Sequence, residues 1–154
     1  MVDELSPEFK IAICDIHLKF ERLINSPPYD GSSSLPEKGV YLFRENGNSM
    51  YVGRSNNIRR RMRQHTKKYS KANQAGFAAK IAKFELKIET TYRMGAKDDL
   101  ENNPEFQEAF KIAKYRVQKM KFFAIEEQDQ MKQSLLEIYC AITLSTPYND
   151  FGTH

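Results

Sequence analysis

The 154-residue chain has 40% apolar and 29% charged residues and carries a formal net charge of +4. This composition fits one globular domain with a modest core, and a second domain is not expected. Two cysteines, Cys14 and Cys140, are too few and too far apart for a zinc site or a disulfide framework, which favours reduced thiols in a cytoplasmic protein. Its apolar runs are too short for a membrane span, and the acidic N-terminus does not resemble a signal peptide.

The N-terminal quarter of the chain predicts one helix and an irregular connector. Residues 7–25 place apolar side chains at spacings of three and four, which is typical of an amphipathic helix that packs on a sheet. Residues 26–38 are rich in Pro, Ser and Gly, and we expect an irregular connector there and not a domain boundary.

A β-hairpin is predicted next, from strands at residues 39–43 and 50–53 with Asn46-Gly47 between them. Because side chains alternate faces along a strand, Tyr41 and Tyr51 share a face of a regular hairpin only if its loop has an odd number of residues. If both tyrosines serve one site, we expect a three-residue loop, Glu45–Gly47, that pairs Tyr41 with Tyr51. A two-residue loop would place them on opposite faces.

A basic helix is predicted after the hairpin, with Ser55, Asn56 and Asn57 as candidate N-caps. Residues 54–71 contain eight Lys or Arg and no carboxylate. Such a block suits a polyanion, because each neutralised phosphate releases condensed counterions. A solvated helix that binds nothing is the alternative.

The rest of the chain predicts further helices and one more strand. Helical spacing recurs over residues 67–83 and 104–114, whereas residues 84–92 fit either a strand or a continuing helix. Residues 120–126 predict a buried third strand, and a last helix is expected from Asp129 or Gln130 until Pro147 stops it. Residues 66–115 are expected to add substrate contacts, a dimer surface, or both.

Several motifs together resemble the GIY-YIG endonuclease superfamily. Gly39-Val40-Tyr41 and Tyr51-Val52-Gly53 are similar to its two signature motifs. Arg61, ten residues after Tyr51, and His65 match two further family positions. Glu137 is similar to the family's metal-binding glutamate, and the helix that carries it is followed by Pro147-Tyr148-Asn149, which lacks the residue usual between Pro and Tyr. The resemblance covers roughly residues 39–150.

This resemblance implies an α/β (α+β) fold: a small, mainly antiparallel three-stranded sheet flanked by helices. Residues 1–38 would add an N-terminal helix and connector, 39–65 form the motif core, 66–115 a helical insertion, and 116–154 the third strand and the metal-ligand helix. Tyr41, Tyr51, Arg61, His65 and Glu137 are expected to converge on one cleft, on the same side of the sheet. A Glu137 on the opposite side of the sheet from Tyr51 would count against the nuclease interpretation.

The resemblance also implies a role for each candidate site residue. Tyr41 is the candidate general base, Tyr51 helps to position water, and Arg61 and His65 contact phosphate, since residues four apart share a helical face. The expected nucleic-acid contacts are Arg54, Arg59, Arg60, Arg63, Lys67 and Lys68. Gly39, Gly53 and Asn149 are expected to be structural, with Gly53 leaving room for substrate.

Glu137 is the candidate metal ligand because its helix is apolar almost all round. A buried carboxylate costs several kcal/mol unless a cation or hydrogen-bond donors compensate it. Mg²⁺, with Mn²⁺ as a substitute, would do so while keeping several waters. Pairing with an arginine such as Arg61, or simple exposure, are the alternatives.

These features predict a metal-dependent endonuclease, with DNA as the expected substrate. The alternatives are an RNA nuclease of the same fold, a catalytically inactive nucleic-acid-binding module, and a structural or interaction protein. A dimer is left open.

Overall fold

The structure is a computed structural model that describes residues 4–88 and 100–151. Its sheet has three antiparallel strands in the order β2-β1-β3, with β1 at Gly39–Glu45, β2 at Asn48–Ser55 and β3 at Lys121–Glu126. The central strand β1 is buried from Gly39 to Phe43, as expected of a strand with neighbours on both sides. The predicted three-stranded antiparallel sheet flanked by helices is confirmed.

Helices in the described ranges are α1 (Pro7–Ile13), α2 (Ile16–Asn25), α3 (Ile58–Thr66), α4 (Gly76–Glu85), α5 (Pro104–Gln118) and α6 (Gln130–Leu144). Side-chain oxygens of Ser6, Asn103 and Asp129 accept backbone N–H bonds at the starts of α1, α5 and α6. These caps satisfy donors that have no partner inside the helix. No helix within the described residues has the length and apolar character needed to cross a membrane.

Two predicted helices have different bounds in the structure. The single helix expected over residues 7–25 is wrong, because Cys14 and Asp15 form a turn between α1 and α2. Of these two helices only α2 carries fully buried residues, and α1 reaches the core through the partly buried Ile13. Residues 67–75 form turns, and α4 begins only at Gly76 and then runs through Phe84 and Glu85; residues 89–92 of the alternative strand lie outside the described ranges.

The chain divides into two compact units. The expectation that it forms one domain stays a prediction. The first contains the described residues up to Arg59 together with Lys121–Pro147. Its core packs α2 and α6 against one face of the sheet, with the following buried side chains: Ile16, Phe20, Leu23, Val40, Leu42, Val52, Phe123, Leu136 and Cys140. The predicted packing of the N-terminal helical region on the sheet therefore holds for α2.

An ion pair reinforces this packing at the end of β3. The Lys19 ammonium donates to Glu127 Oε1 at 2.5 Å and lies 3.3 Å from Asp15 Oδ2. Burial opposes the charge on Lys19, but the Glu127 and Asp15 carboxylates favour it more strongly, so the pKa of Lys19 is raised. The pair connects α2 to the segment that leads into α6.

The second unit contains Arg60–Met120 and the described residues from Tyr148 onward. In it α4 packs against α5, and the buried rings of Phe106 and Phe110 stack with centroids 5.7 Å apart. Lys114 on α5 stabilises the turns before α4, because its ammonium donates to the carbonyl oxygens of Lys68 and Ser70 at 2.8 and 3.0 Å.

Candidate active site

The hairpin turn is shorter than predicted. Asn46 and Gly47 have φ values of 52° and 81°, and Glu45 pairs with Asn48 across them. Positive φ at both central residues is typical of the two-residue turn whose twist matches that of the flanking strands. The predicted three-residue loop is therefore wrong.

A β-bulge nevertheless brings the two tyrosines to one face. Arg44 pairs with Ser49 but Phe43 pairs with Tyr51, so Met50 is an extra residue in β2. This single residue reverses the alternation, and Tyr51 points to the same face as Phe43 and Tyr41. The predicted direct pairing of Tyr41 with Tyr51 is wrong, since Tyr41 lies opposite Gly53, but the rings are neighbours with centroids 6.5 Å apart.

Tyr41 is enclosed by aromatic side chains and by Gly53. Its side chain is 1% exposed, and its ring centroid lies 6.0 Å from that of Phe43 and 5.5 Å from that of Phe122. A Cβ atom at Gly53 would overlap the end of the Tyr41 phenol. Gly53 thus makes room for Tyr41, and its expected role toward substrate stays a prediction. Gly39 has a similar structural reason, because a Cβ there would overlap the Ile125 carbonyl.

Glu137 lies on α6 beside the end of β2. Its side chain is 18% exposed, and its Oε1 is 3.9 Å from Arg54 Nε. Burial raises the pKa of the neighbouring Cys140 thiol to about 12, with the charge of Glu137 as a further cause. Sequence reasoning considered Arg61 as the ion-pair partner of Glu137 and assigned Arg54 to phosphate, so the Arg54–Glu137 pair was missed.

The tyrosines and the glutamate helix lie on opposite faces of the sheet. Arg54 pairs with Val40, and Val40 belongs to the face that α2 and α6 cover, whereas Tyr41 and Tyr51 alternate to the other face. The expectation that α6 lies on the same side of the sheet as the tyrosines is therefore wrong. β2 is an edge strand of the described sheet, and the Arg54–Glu137 ion pair lies at this strand.

Gln133 fixes the junction between β2 and α3 and was also missed by sequence reasoning. It is buried one turn before Glu137, and its amide nitrogen donates to Asn56 Oδ1 at 3.2 Å and to the Glu127 carbonyl at 2.8 Å. Asn56 lies two residues before the start of α3. A glutamine on the otherwise apolar face of a helix is the sequence signal that could have identified it.

Arg61 and His65 lie on α3 and have different environments. Arg61 Nη1 donates to the Gln74 carbonyl at 2.8 Å and to Gln64 Oε1 at 3.0 Å, so the guanidinium holds the turn before α4. His65 is 0% exposed. Burial, and then the positive charges of Arg61 and Lys80, lower the pKa of His65 to about 3. His65 is therefore neutral near pH 7 and can serve as a hydrogen-bonding group but not as a cation.

The other predicted phosphate contacts are exposed on and after α3. Arg59 Nη1 donates to the Tyr29 hydroxyl at 3.3 Å. The exposed members of this group are Arg59, Arg60, Arg63, Lys67 and Lys68. Asn149 is half-buried beyond α6, which ends at Ser145 in a left-handed cap directly before Thr146 and Pro147, as the predicted stop requires.

One of three comparisons with known proteins found a match. The family model described as the GIY-YIG catalytic domain matches residues 37–140, and the chain belongs to this family. The family is one of nucleases, whose substrates are nucleic acids. A search of curated proteins and a search of solved structures each found no match.

Nucleases of this family generally depend on a divalent metal ion. Among the described residues, no group of three or more His, Cys, Asp or Glu side chains is arranged to hold one. A half-buried carboxylate at Glu137 still fits Mg²⁺, which keeps several waters and takes further oxygen ligands from substrate phosphates. The donor chemistry thus fits a hard cation with one protein ligand.

Proposed function

We propose that this chain is a metal-dependent endonuclease that hydrolyses phosphodiester bonds in DNA. The observation that carries the proposal is the Glu137 carboxylate, half-buried on an apolar helix beside the strand that bears Tyr51. A partly buried carboxylate costs free energy unless a cation or hydrogen-bond donors compensate it, and a metal ion would add to the compensation that Arg54 supplies. The family match over residues 37–140 supports phosphodiester hydrolysis as the reaction of that site.

The metal ligand in this proposal is Glu137, and Mg²⁺ is the preferred ion, with Mn²⁺ as a substitute. When bound, the ion would stabilise negative charge on the phosphate and lower the pKa of a coordinated water. The Arg54 Nε lies 3.9 Å from Glu137 Oε1, so the guanidinium places a positive charge beside the carboxylate. Arg54 can then turn to a phosphate oxygen, because its side chain is 44% exposed.

The general-base role, expected for Tyr41 from the sequence, fits Tyr51 better. Tyr41 is enclosed on the central strand, whereas Tyr51 is half-buried on the edge strand. A phenol titrates near pH 10. Tyr51 can therefore accept a proton from water at neutral pH only if a nearby cation favours the phenolate form. Tyr41 then acts as a positioning residue that supports the Tyr51 ring at 6.5 Å.

Arg61 and His65 complete the proposed chemistry from α3. A guanidinium can hold two phosphate oxygens and stabilise charge in the transition state. His65 is neutral near pH 7 and orients a neighbouring hydroxyl or phosphate oxygen through a hydrogen bond. The exposed arginines and lysines of α3 and the following turn contact the backbone of the substrate.

Two observations favour a rival, a nucleic-acid-binding module that has lost catalysis. The glutamate helix α6 lies on the sheet face opposite to Tyr51. Arg61 Nη1 is engaged by Gln74 and Gln64, which is a structural use of the family's catalytic arginine position. In this rival the basic helix binds nucleic acid and no bond is cleaved.

A cleavage assay separates these functions. Plasmid, single-stranded and branched DNA, and RNA, are each incubated with the protein in Mg²⁺, Mn²⁺ or EDTA. We expect nicking or cutting of DNA in Mg²⁺ and Mn²⁺ and none in EDTA. RNA cleavage without DNA cleavage would assign the RNA substrate, and tight DNA binding without any cleavage would establish the binding module.

A further inference from the structure

A groove of about 490 Å³ runs along α5, and it shares only Lys68 with the residues of the proposed function. Its volume is within the range of about 300–1,000 Å³ that ligand-binding clefts occupy. We call it the α5 groove, and its lining residues are Lys68, Glu108, Lys111, Ile112, Lys114, Tyr115 and Gln118.

The charge of the α5 groove is positive, with three lysines against Glu108. Hydrogen bonds to the preceding turns hold its wall in place, since Lys114 donates to the Lys68 and Ser70 carbonyls and Gln118 donates to the Thr66 carbonyl. An anionic ligand would therefore meet a preformed basic surface.

Exposed tyrosines lie within this basic surface. Tyr115 is 61% exposed, and the Lys119 ammonium is 4.2 Å from its ring centroid. Tyr69 is 88% exposed and lines a neighbouring depression of about 310 Å³ that also contains Lys71 and shares Lys114 with the groove. Lys119 therefore covers one face of the Tyr115 ring, and Tyr69 is exposed in a depression that two lysines also line.

We propose that the α5 groove binds a single-stranded, unpaired segment of nucleic acid. Bases stack on Tyr115 and Tyr69, and phosphates contact Lys68, Lys111 and Lys119. A flat apolar ring beside a cation matches a nucleotide, which joins a flat base to an anionic phosphate. Paired bases in a duplex are stacked on one another and do not offer their faces to a tyrosine. The inference rests on the proposed function, because it takes nucleic acid as the substrate.

The test compares Tyr115→Ala with Tyr115→Phe, which keeps the ring. A fluorescein-labelled oligothymidylate is titrated in EDTA, so that no strand is cut, and its anisotropy is followed. Tyr115→Ala is expected to weaken binding about 5-fold to 100-fold, the usual loss when one stacking ring is removed. Tyr115→Phe should bind oligothymidylate like the wild type. For a blunt duplex of matched length, Tyr115→Ala should lose much less affinity than it loses for oligothymidylate.

The lysines are tested through the salt dependence of the same binding. Lys111→Ala should reduce the slope of log affinity against log salt by about 0.7, the value for one phosphate contact on a single strand. Lys132→Ala, on α6 outside the groove, removes the same charge and should leave the slope for oligothymidylate unchanged. If circular dichroism shows that Tyr115→Ala is misfolded, Lys111→Glu replaces it and should weaken single-strand binding more than Lys111→Ala.

Oligothymidylate affinity unchanged in Tyr115→Ala would overturn the inference. So would self-association of the wild type that Tyr115→Ala abolishes, since a second copy of the chain would then occupy the groove. Plasmid cleavage in Mg²⁺ is measured on the same proteins. If plasmid cleavage persists and Tyr115→Ala binds oligothymidylate like the wild type, the groove alone is rejected. If Tyr115→Ala binds oligothymidylate more weakly but the wild type never cleaves, the endonuclease alone is rejected.

Discussion

Glu137 combines a half-buried carboxylate with an arginine at 3.9 Å, and Glu137→Gln separates its charge from its size. We expect the variant to fold and to bind DNA, because glutamine keeps the shape and hydrogen-bonding capacity of the side chain. Cleavage in Mg²⁺ should fall steeply, because a neutral amide is a poor ligand for a hard cation. Glu126→Gln, an exposed carboxylate at the end of β3, is a matched control. Wild-type cleavage rates in Glu137→Gln would show that this carboxylate is not the metal ligand.

Arg61 requires two substitutions because it holds a turn as well as the proposed phosphate. Arg61→Ala should reduce cleavage about a hundredfold to a thousandfold, the usual loss for one group that stabilises transition-state charge. It should also lower the free energy of unfolding, because the Gln74 carbonyl loses a donor. Arg61→Lys retains the charge without the planar fork. Cleavage that Arg61→Lys restores fully would argue against a bidentate phosphate contact.

His65 makes stability depend on pH in a defined window. Its pKa is about 3 in the folded protein against the ordinary value of 6.5, so between these values the unfolded chain binds more protons. The free energy of unfolding therefore falls as the pH falls from about 6.5 toward 3, by up to about 1.4 kcal/mol per pH unit from this group. Urea unfolding from pH 4 to 7 measures the slope, which His65→Gln should reduce. An equal slope in His65→Gln would mean that other groups cause the acid sensitivity, and Arg61 and Lys80 are the cations that face the ring.

At the scale of the element, the hairpin depends on the space that Gly53 leaves for Tyr41. Gly53→Ala should lower the free energy of unfolding by about 1–3 kcal/mol, because its methyl group would overlap the phenol in a packed interior. Gly76→Ala, at the start of α4, is the control, since its Cβ would meet Arg61 Nη2 at an ordinary 3.6 Å. Denaturant midpoints and slopes compare the two. Equal stability of both variants would show that Tyr41 can move away from Gly53 without cost.

The elements differ in how far their sequences predicted them. β3 and α6 were predicted closely, because a compact apolar strand, an Asp129 cap and a terminal Pro147 are strong local signals. The break between α1 and α2 was not, because apolar spacing continues across Cys14 and Asp15 while the backbone turns. The bulge at Met50 was not predicted either. Alternation rules assume a regular ladder, and nothing in the residue itself marks it as unpaired.

The sequence predicted which residues belong to the candidate site more completely than it predicted where they lie. The motif residues were identified because their chemistry and order are distinctive. The Arg54–Glu137 pair and the burial of His65 depend on tertiary packing, which spacing along the chain does not encode. That α6 lies on the face opposite to Tyr51 likewise follows from which side chains of the sheet form the core.

At the scale of the whole molecule, the net charge of +4 predicts DNA affinity that falls with salt. Arg60→Ala and Arg63→Ala should each weaken binding to all sequences alike and reduce the salt slope for duplex DNA by about 0.9 or less. Arg22→Ala, which removes the same charge from the last turn of α2, is the control. Titrations at several salt concentrations give the slopes. Unchanged affinity and slope would mean that these arginines are only solvated.

The bulge at Met50 has a consequence for chain length. In a regular strand, losing one residue turns every later side chain to the opposite face. Losing Met50 would leave Ser49 opposite Arg44 and Tyr51 opposite Phe43 in an unbroken ladder. The hairpin can therefore shorten by one residue at this position with both tyrosines still side by side. The spacing from the first tyrosine to the second can therefore be nine or ten residues, and in both cases the two side chains lie on the same face of the sheet.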